Sequence, residues 1–486
     1  MATATTEPVR LPPGPRVPKI VQGVAFLAAR EEVVAALARR YGGAFTVSLP
    51  IFGQTVVIGD PVLVKDLFSA GVDVLGRATH TFGAILGPGS TWGLDGGELL
   101  ERRRLLAPPF HGKRMRRYEH IIEEEVRREV VNWPEGREFE TLPSMLRISL
   151  NAILRAVFGA EGPALDELRE LIPPAVKIAS RIALLPPTVW RDFGAWSPGG
   201  RFLRYRRRVD AIIDSLIAEA RADPAFEERS DVLTLLLRAR DEDGQPIPDQ
   251  HIVNELLTLL AAGHETTSAA LAWAVERLRR HPSLLSRLTA EVDAGGSELR
   301  QATIWEVQRS RPVLEATLRR TQKQIRLGDW VIPRDTTVLI SMQLAHGQSF
   351  TDAASFDPNR FVGTNSTPLT WFPFGGGVNR CIGAAFANME MDVTLRTLLR
   401  EFRFAPTDAP GERRHNRGVM IAPGRGGRAM VYRRTANASS DHPPRSTDGY
   451  LAGMPSPQQN SATMNGEPAS ASSVPDALFD SAESAS

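Results

Sequence analysis

Apolar positions recur at helical spacing through the middle of this chain and at strand spacing only toward its two ends. A helical pattern runs from Glu31 to Tyr41 and stops at Gly42-Gly43, because glycine readily takes backbone angles that leave a helix. Two short strands are predicted next, Ala44–Ile51 and Gln54–Ile58, joined by a Phe-Gly turn and ended by Asp60-Pro61. Helical periodicity dominates from about Gly97 to Val292, and β-rich stretches return at Gly328–Ser341 and near Gly418–Arg433. Many helices with strands gathered at both ends predict one mainly α domain of the α+β class. There is no internal repeat.

The two ends read differently. Residues 1–18 are polar and proline-bearing, with Leu11-Pro-Pro-Gly-Pro-Arg16 as an extended lead. Residues 435–486 are rich in Ser, Ala, Pro, Asn and Gly and cannot bury enough apolar surface to offset their chain entropy, so a disordered tail is expected. That leaves 19–434 as the folded domain. The chain is 42% hydrophobic and 23% charged, which suits a globular protein with a sizeable core. From Thr435 onward six acidic residues stand against one arginine, so the body carries +7 where the whole chain carries +2. That charge is modest for the size and gives no reason to expect nucleic-acid binding. The most apolar early stretch, Ile20 to Ala29, is about ten residues long and holds Gln22, too short to span a bilayer. Met1 to Lys19 lacks the layout of a secretion signal. A soluble, cytoplasmic protein is expected, with peripheral membrane contact left open.

Candidate chemistry centres on Cys381, the one cysteine, in Phe374-Gly-Gly-Gly-Val-Asn-Arg-Cys381-Ile-Gly383. A lone cysteine forms no intramolecular disulfide and no Cys-rich zinc site. Helix-forming sequence follows the loop from Ala384 to Leu399. Loop amides and a helix N-terminus would lower the thiol pKa, and a thiolate so presented suits the axial position of a haem iron. The ordinary alternative is a buried, inert cysteine.

Three more segments carry polar residues in apolar or helical settings. The long apolar stretch Pro248–Arg280 contains Ala262-Gly-His-Glu-Thr-Thr267, where threonines can bond back to the preceding turn and bend the axis. A surface strip of an amphipathic helix is the alternative. His264-Glu265 begins a zincin His-Glu-x-x-His, but position 268 is Ser, so that metal site is excluded. Glu306 and Arg309, at i and i+3, share one helix face, whereas Glu315 and Arg319 nearby are four apart. Phe356-Asp-Pro358-Asn-Arg360-Phe361 lies downstream, and Leu99-Leu-Glu-Arg-Arg103 lies far upstream.

These segments, taken in their order along the chain from Leu99 to Gly383, resemble the signatures of the cytochrome P450 family. The cysteine loop is similar to Phe-x-x-Gly-x-(Arg/His)-x-Cys-x-Gly at Phe374, Gly377, Cys381 and Gly383, and departs from it at Asn379, where a basic residue is usual. Ala262–Thr267 is similar to the oxygen-activation segment, Glu306–Arg309 to the Glu-x-x-Arg helix, and Pro358–Phe361 to Pro-x-Arg-Phe. Arg103 matches the family's (His/Trp)-x-x-x-Arg helix, while Leu99 replaces its aromatic residue.

The resemblance implies a single triangular domain with small sheets and a long central helix, binding haem b with Cys381 on the iron. It implies that Ala262 and Gly263 border the haem, Gly263 opening a groove for dioxygen, and that Glu265 and Thr266 manage water and protons. Glu306, Arg309 and Arg360 would form a buried structural cluster, and Arg103 and Arg319 would meet the propionates. The basic run Arg102, Arg103, Arg104, Lys113, Arg114, Arg116 and Arg117 would face an acidic electron donor, the alternative being a solvated helix face. The implied activity is a monooxygenase in which O2 gives one atom to an apolar substrate (lipid, sterol, terpene or xenobiotic) and one to water. Electrons would come from a ferredoxin and its reductase, and the protein would be a monomer. By analogy Phe82, Ile85, Leu86, Trp92, Leu260 and Met420 would line the pocket, though core packing explains each equally well. A haem-binding sensor or carrier and a peroxide-driven peroxygenase are the alternatives.

Overall fold

Caps written in the sequence set the element boundaries. The Asp60 carboxylate accepts from the amides of Val62 and Leu63 at 2.9 and 3.0 Å, and Pro61 fits a first turn, so helix Pro61–Phe68 begins there. Gly42, at φ 86°, closes helix Arg30–Tyr41, and Gly159, at φ 66°, closes helix Leu142–Phe158. The computed structural model describes residues 2–49, 52–78, 80–110, 115–159, 161–183, 185, 187–194, 196–241, 243–363 and 371–434. The expected tail 435–486 lies outside them, as do Lys113 and Arg114 of the basic run. Residues 1–435 belong to one compact unit.

The largest sheet has five strands in the spatial order Ala44–Leu49, Gly53–Ile58, Thr337–Ser341, Ala316–Thr321 and Leu75–Arg77. Only Gly53–Ile58 and Thr337–Ser341 run parallel. Side chains alternate between two covered faces. Val56, Ile58, Val338 and Ile340 pack into one apolar cluster, while Phe45, Val47, Val57 and Leu339 pack into another. The N-terminal lead is extended as expected, yet it is held in the fold. Thr3–Ala4 pair antiparallel with Ile325–Arg326, and Arg10 bridges to Val331. The sequence gives no sign of this, because strand pairing needs only free backbone groups at a distant edge.

Helices make up the rest of the core. The central helix, Asp249–Leu278, lies against helix Leu142–Phe158 and also touches helices Glu298–Ser310 and Ala384–Glu401 and strand Met420–Pro423. Residues 269–275 of this helix, Ala-Ala-Leu-Ala-Trp-Ala-Val, are apolar on every side and buried accordingly. Trp273 is fully buried, and its indole N–H donates to the Ile421 carbonyl at 3.3 Å, so a large apolar body is inside with its one polar atom satisfied. Among the described residues no helix is long and apolar enough to cross a membrane.

Candidate functional site

The cysteine loop is shaped by glycine torsions and by close approach to Phe68. Gly375 and Gly377 sit at φ 70° and 62°, and a Cβ on Gly377 would stand 2.3 Å from the Phe68 carbonyl oxygen. The Cys381 amide donates to Phe374 O at 2.9 Å and the Arg380 amide to Gly377 O at 3.0 Å, closing the loop on itself. Gly383 then leads into helix Ala384–Glu401, whose Ala387 amide donates back to Gly383 O at 2.8 Å. The Cys381 sulfur is reachable at its surface yet set deep in the protein, so it faces an interior space. Burial pushes its thiol up, and the Gly383 amide, Arg103 and Arg380 offset this only in part. The sequence predicts the opposite direction. Loop amides and a helix terminus are local, whereas desolvation sums over everything packed around the sulfur.

Beside this loop stand three arginines with no ion pair among the described residues. Arg103 Nη2 donates to Arg380 O at 2.5 Å, and Arg319 Nη2 donates to Gly376 O at 3.3 Å. The third, Arg77, belongs to none of the sequence motifs. It lies directly opposite Arg319 in the antiparallel register of the five-stranded sheet. Like charges so placed repel. Burial and the mutual field of these guanidiniums pull Arg77 and Arg319 down to about 10, and burial also lowers Arg103. Three part-desolvated cations beside a thiol form a site for an anion, and the two carboxylates of a haem fit it. Leu99 is fully buried in the core and adds no donor. Glu315, the alternative partner for Arg319, instead reaches Arg30 and Arg414 at 3.7 and 3.4 Å.

Between residues 252 and 278 the central helix has reachable surface only at Leu259, Ala261, Ala262, Gly263 and Thr266. Positions 259, 262, 263 and 266 follow i, i+3, i+4, i+7 and share one face. Thr266 Oγ1 donates to Ala262 O at 2.8 Å, the back-bond expected of a threonine in this position. A Cβ on Gly263 would lie 3.1 Å from Ile153 Cγ1, so glycine permits close packing against helix Leu142–Phe158 at this point. Burial raises Glu265 to about 7, with Arg417 and Lys177 pulling the other way. Burial also lowers His264 to about 4, so it is neutral. No cluster able to hold a metal ion by His, Cys, Asp or Glu occurs among the described residues. Leu260 has no accessible surface, and Ile85, Leu86 and Met420 are buried. Of the six pocket candidates, Phe82 and Trp92 remain partly reachable, with their rings 5.1 Å apart.

Glu306, Arg309 and Arg360 come together. Arg309 forks onto both Glu306 oxygens at 2.6 and 2.7 Å, and Arg360 Nε is 3.3 Å from Oε2. The Asp357 amide donates to Oε1 at 2.8 Å. On the same helix, Arg300 forks onto Asp392 of the cysteine helix at 2.6 and 3.0 Å, tying the two elements together.

The basic run does not form one face. Arg102 turns inward, 3.7 Å from the fully buried Glu255, while its neighbour Arg103 turns toward Cys381. Arg104, Arg116 and Arg117 are exposed. Glu255, which burial raises, also accepts from the Thr91 amide at 2.7 Å. The adjacent Asn254 accepts from Arg206, which donates in turn to Ile85 O at 2.9 Å. Consecutive residues of the central helix thus hold the segment 82–94, Glu255 directly at Thr91 and Asn254 through Arg206 at Ile85. These pins are invisible in sequence, because each joins residues far apart in the chain.

The family profile for cytochrome P450 matches residues 12–427. A Mycobacterium tuberculosis protein named cytochrome P450 138 is 52% identical over 439 residues, spanning 89% of this chain and 99% of its own length. Cytochrome P450 135B1 of the same species is 36% identical over 442 residues, 88% and 92% of the two chains. Among solved structures, retinoic acid bound cyanobacterial CYP120A1 superposes with a TM-score of 0.77 at 20% identity, covering 88% of this chain and 100% of that one. The haem domain of cytochrome P450DA gives 0.75 at 22% identity, covering 88% and 98%. These two likenesses are of fold alone. With the profile and the close relatives spanning nearly the whole described chain, this protein belongs to the cytochrome P450 family of haem-dependent monooxygenases.

Proposed function

We propose that this chain binds haem b through the Cys381 thiolate, draws electrons from a ferredoxin and its reductase, and inserts one oxygen atom of O2 into an apolar small molecule. The observation that carries this reading is the group of Arg103 and Arg319, with no ion-pair partner among the described residues, beside a thiol that faces an interior space. Cations held out of water there suit propionates on a macrocycle whose metal meets the sulfur. When bound, the haem supplies the iron chemistry of O2 reduction.

The chain's own residues bind, orient and move protons. Glu265, poised near neutrality, exchanges protons at its carboxylate between the side of Arg417 and Lys177 and the strip that carries Thr266. The Thr266 hydroxyl holds water against the Ala262 carbonyl. Glu306, Arg309 and Arg360 keep the loop's foundation rigid and take no part in chemistry. An apolar substrate suits the reachable Leu259 and Ala262 of the central helix together with the partly reachable rings of Phe82 and Trp92. Exposed Arg104 and Arg116 suit an acidic donor whose encounter weakens with salt. A cytoplasmic setting suits a lone cysteine that must stay reduced.

The test is spectroscopic. Reduced, CO-bound protein should absorb far to the red of imidazole-ligated haem, and Cys381→His should move the band toward the globin position. Turnover with a ferredoxin system should exceed any peroxide-driven rate. An unchanged spectrum in Cys381→Ala ends the haem-thiolate assignment, and equal or greater activity with peroxide alone makes the protein a peroxygenase.

A further inference from the structure

We infer that Glu255, paired with Arg102, is a positioning residue that fixes the turn Gly89–Thr91 and with it Trp92, making this stretch a fixed wall of the ligand space rather than a moving flap. The part that concerns ligands rests on the haem reading above. Glu255 has no accessible surface, and Arg102 keeps 7% of its own. Their nearest atoms, Oε2 and Nη1, are 3.7 Å apart, close enough to offset each other's charge yet too far to share a hydrogen bond. Each spends its hydrogen bonds on the same three residues instead. Arg102 Nη1 donates to Gly89 O at 2.8 Å. One Glu255 oxygen accepts from the Thr91 amide at 2.7 Å, and the other accepts from the Thr91 hydroxyl. Two buried charges thus grip one turn from its two ends, and a turn that left would strip both of these hydrogen bonds.

The turn is also closed on itself and seated directly on the central helix. Ser90 is fully buried, and its hydroxyl donates to Gly87 O at 2.7 Å and accepts from the Gly93 amide at 3.2 Å. The amides of Gly93 and Leu94 both donate to Ser90 O, at 2.8 and 3.0 Å. A Cβ on Gly87 would stand 2.2 Å from Asn254 Oδ1, and one on Gly89 would stand 2.8 Å from His251 Cα. Backbone therefore lies against the helix with no side chain of its own between them. These contacts make 87–94 one rigid body, and Trp92 is the residue it presents. Trp92 adjoins Thr91 and keeps 37% of its surface reachable. Its ring lies 5.2 Å from the guanidinium of Arg77, whose Nε meets Asn379 of the cysteine loop at 2.8 Å. The ring is thus one guanidinium removed from the cysteine loop, and Glu255 sets its place through the adjoining peptide.

Two measurements on the ferric holoenzyme test this. The first is amide hydrogen exchange over 87–94, with and without 1-benzylimidazole. The second is the ratio of dissociation constants for 1-methylimidazole and 1-benzylimidazole, read from the haem band as the imidazole nitrogen meets the iron. In the parent, exchange over 87–94 should be as slow as over 252–258 of the central helix and unmoved by ligand. Thr91→Val removes one donor to Glu255 at nearly constant volume. It should speed that exchange about ten- to a hundredfold, the range for losing a hydrogen bond to a charged group. It should also shift the ratio of the two constants by about threefold or more, whereas Thr91→Ser, which keeps the hydroxyl, should leave the ratio parental. Glu255→Ala should exceed T91V in both readouts, and if it does not fold, T91V against T91S decides the same point. A role in core stability alone would lower the unfolding midpoint of T91V without moving the ratio, and that outcome overturns the inference. So does a T91S that behaves like T91V, or parent exchange over 87–94 that is fast or that slows on binding. A chain that takes up no haem through Cys381 would instead overturn the function on which the ligand test rests, and exchange of T91V against the parent would still decide the wall.

Discussion

Glu265→Gln separates two consequences of burying one carboxyl group, because stability and turnover should move in opposite directions. Glu265 lies in the buried stretch of the central helix, and burial raises it from 4.5 to about 7. Each pKa unit corresponds to about 1.4 kcal/mol, so ionising Glu265 in the fold costs about 3 kcal/mol more than in the unfolded chain. The folded state therefore binds this proton more tightly. Its stabilising contribution is fully present below about pH 4.5 and is lost as pH rises through about 7. Glutamine is neutral at every pH and similar in shape. The stability of E265Q relative to the parent should therefore rise between pH 4.5 and 8, by about 3 kcal/mol in its favour. Turnover should fall about a hundredfold, the lower end for loss of a positioned proton-transfer group. Urea unfolding of the two ferric holoenzymes, followed by tryptophan fluorescence and the haem band at several pH values, measures the first. Coupled product formation measures the second. A stability difference that stays constant within about 0.5 kcal/mol over that range refutes the argument, since it means Glu265 titrates as it would in water.

Glu306→Ala leaves two guanidiniums without their shared carboxylate in the core, and removing one member of a buried ion pair costs about 3–5 kcal/mol. Denaturant unfolding should show a loss of that size, and the haem content of purified protein should fall with it. Gly377→Ala asks for a left-handed residue with a Cβ 2.3 Å from the Phe68 carbonyl, so the cysteine loop must shift. It should destabilise by about 1–3 kcal/mol and lower the haem band per protein, whereas the same change at the open, exposed Gly97 should do neither.

Much of the fold and part of the site follow from neighbours in the sequence. Gly42 ends a helix and Asp60 starts one through torsions and hydrogen bonds that span a few residues. Glu306 and Arg309 pair because a helix places i and i+3 side by side. The shape of the loop at Gly375 and Gly377 follows from backbone freedom that only glycine has. The threonine back-bond at Thr266 is equally local.

Other features depend on contacts that no window of sequence contains. Arg102 and Arg103 are adjacent and chemically alike, yet a rotation of about 100° per residue sends one to Glu255 and the other toward Cys381. What stands on each side of that helix is set by distant chain. Arg77 faces Arg319 only through strand register, and its Nε reaches Asn379 Oδ1 at 2.8 Å only because the fold brings the cysteine loop to that sheet edge. Thr3–Ala4, in the extended N-terminal lead, pair with the edge of Ile325–Leu327 through contacts equally remote in sequence. The titration of Cys381 and Glu265 was decided last of all. Loop amides and neighbouring charges are legible residue by residue, but desolvation comes from every atom that excludes water, and only the folded chain brings those atoms together.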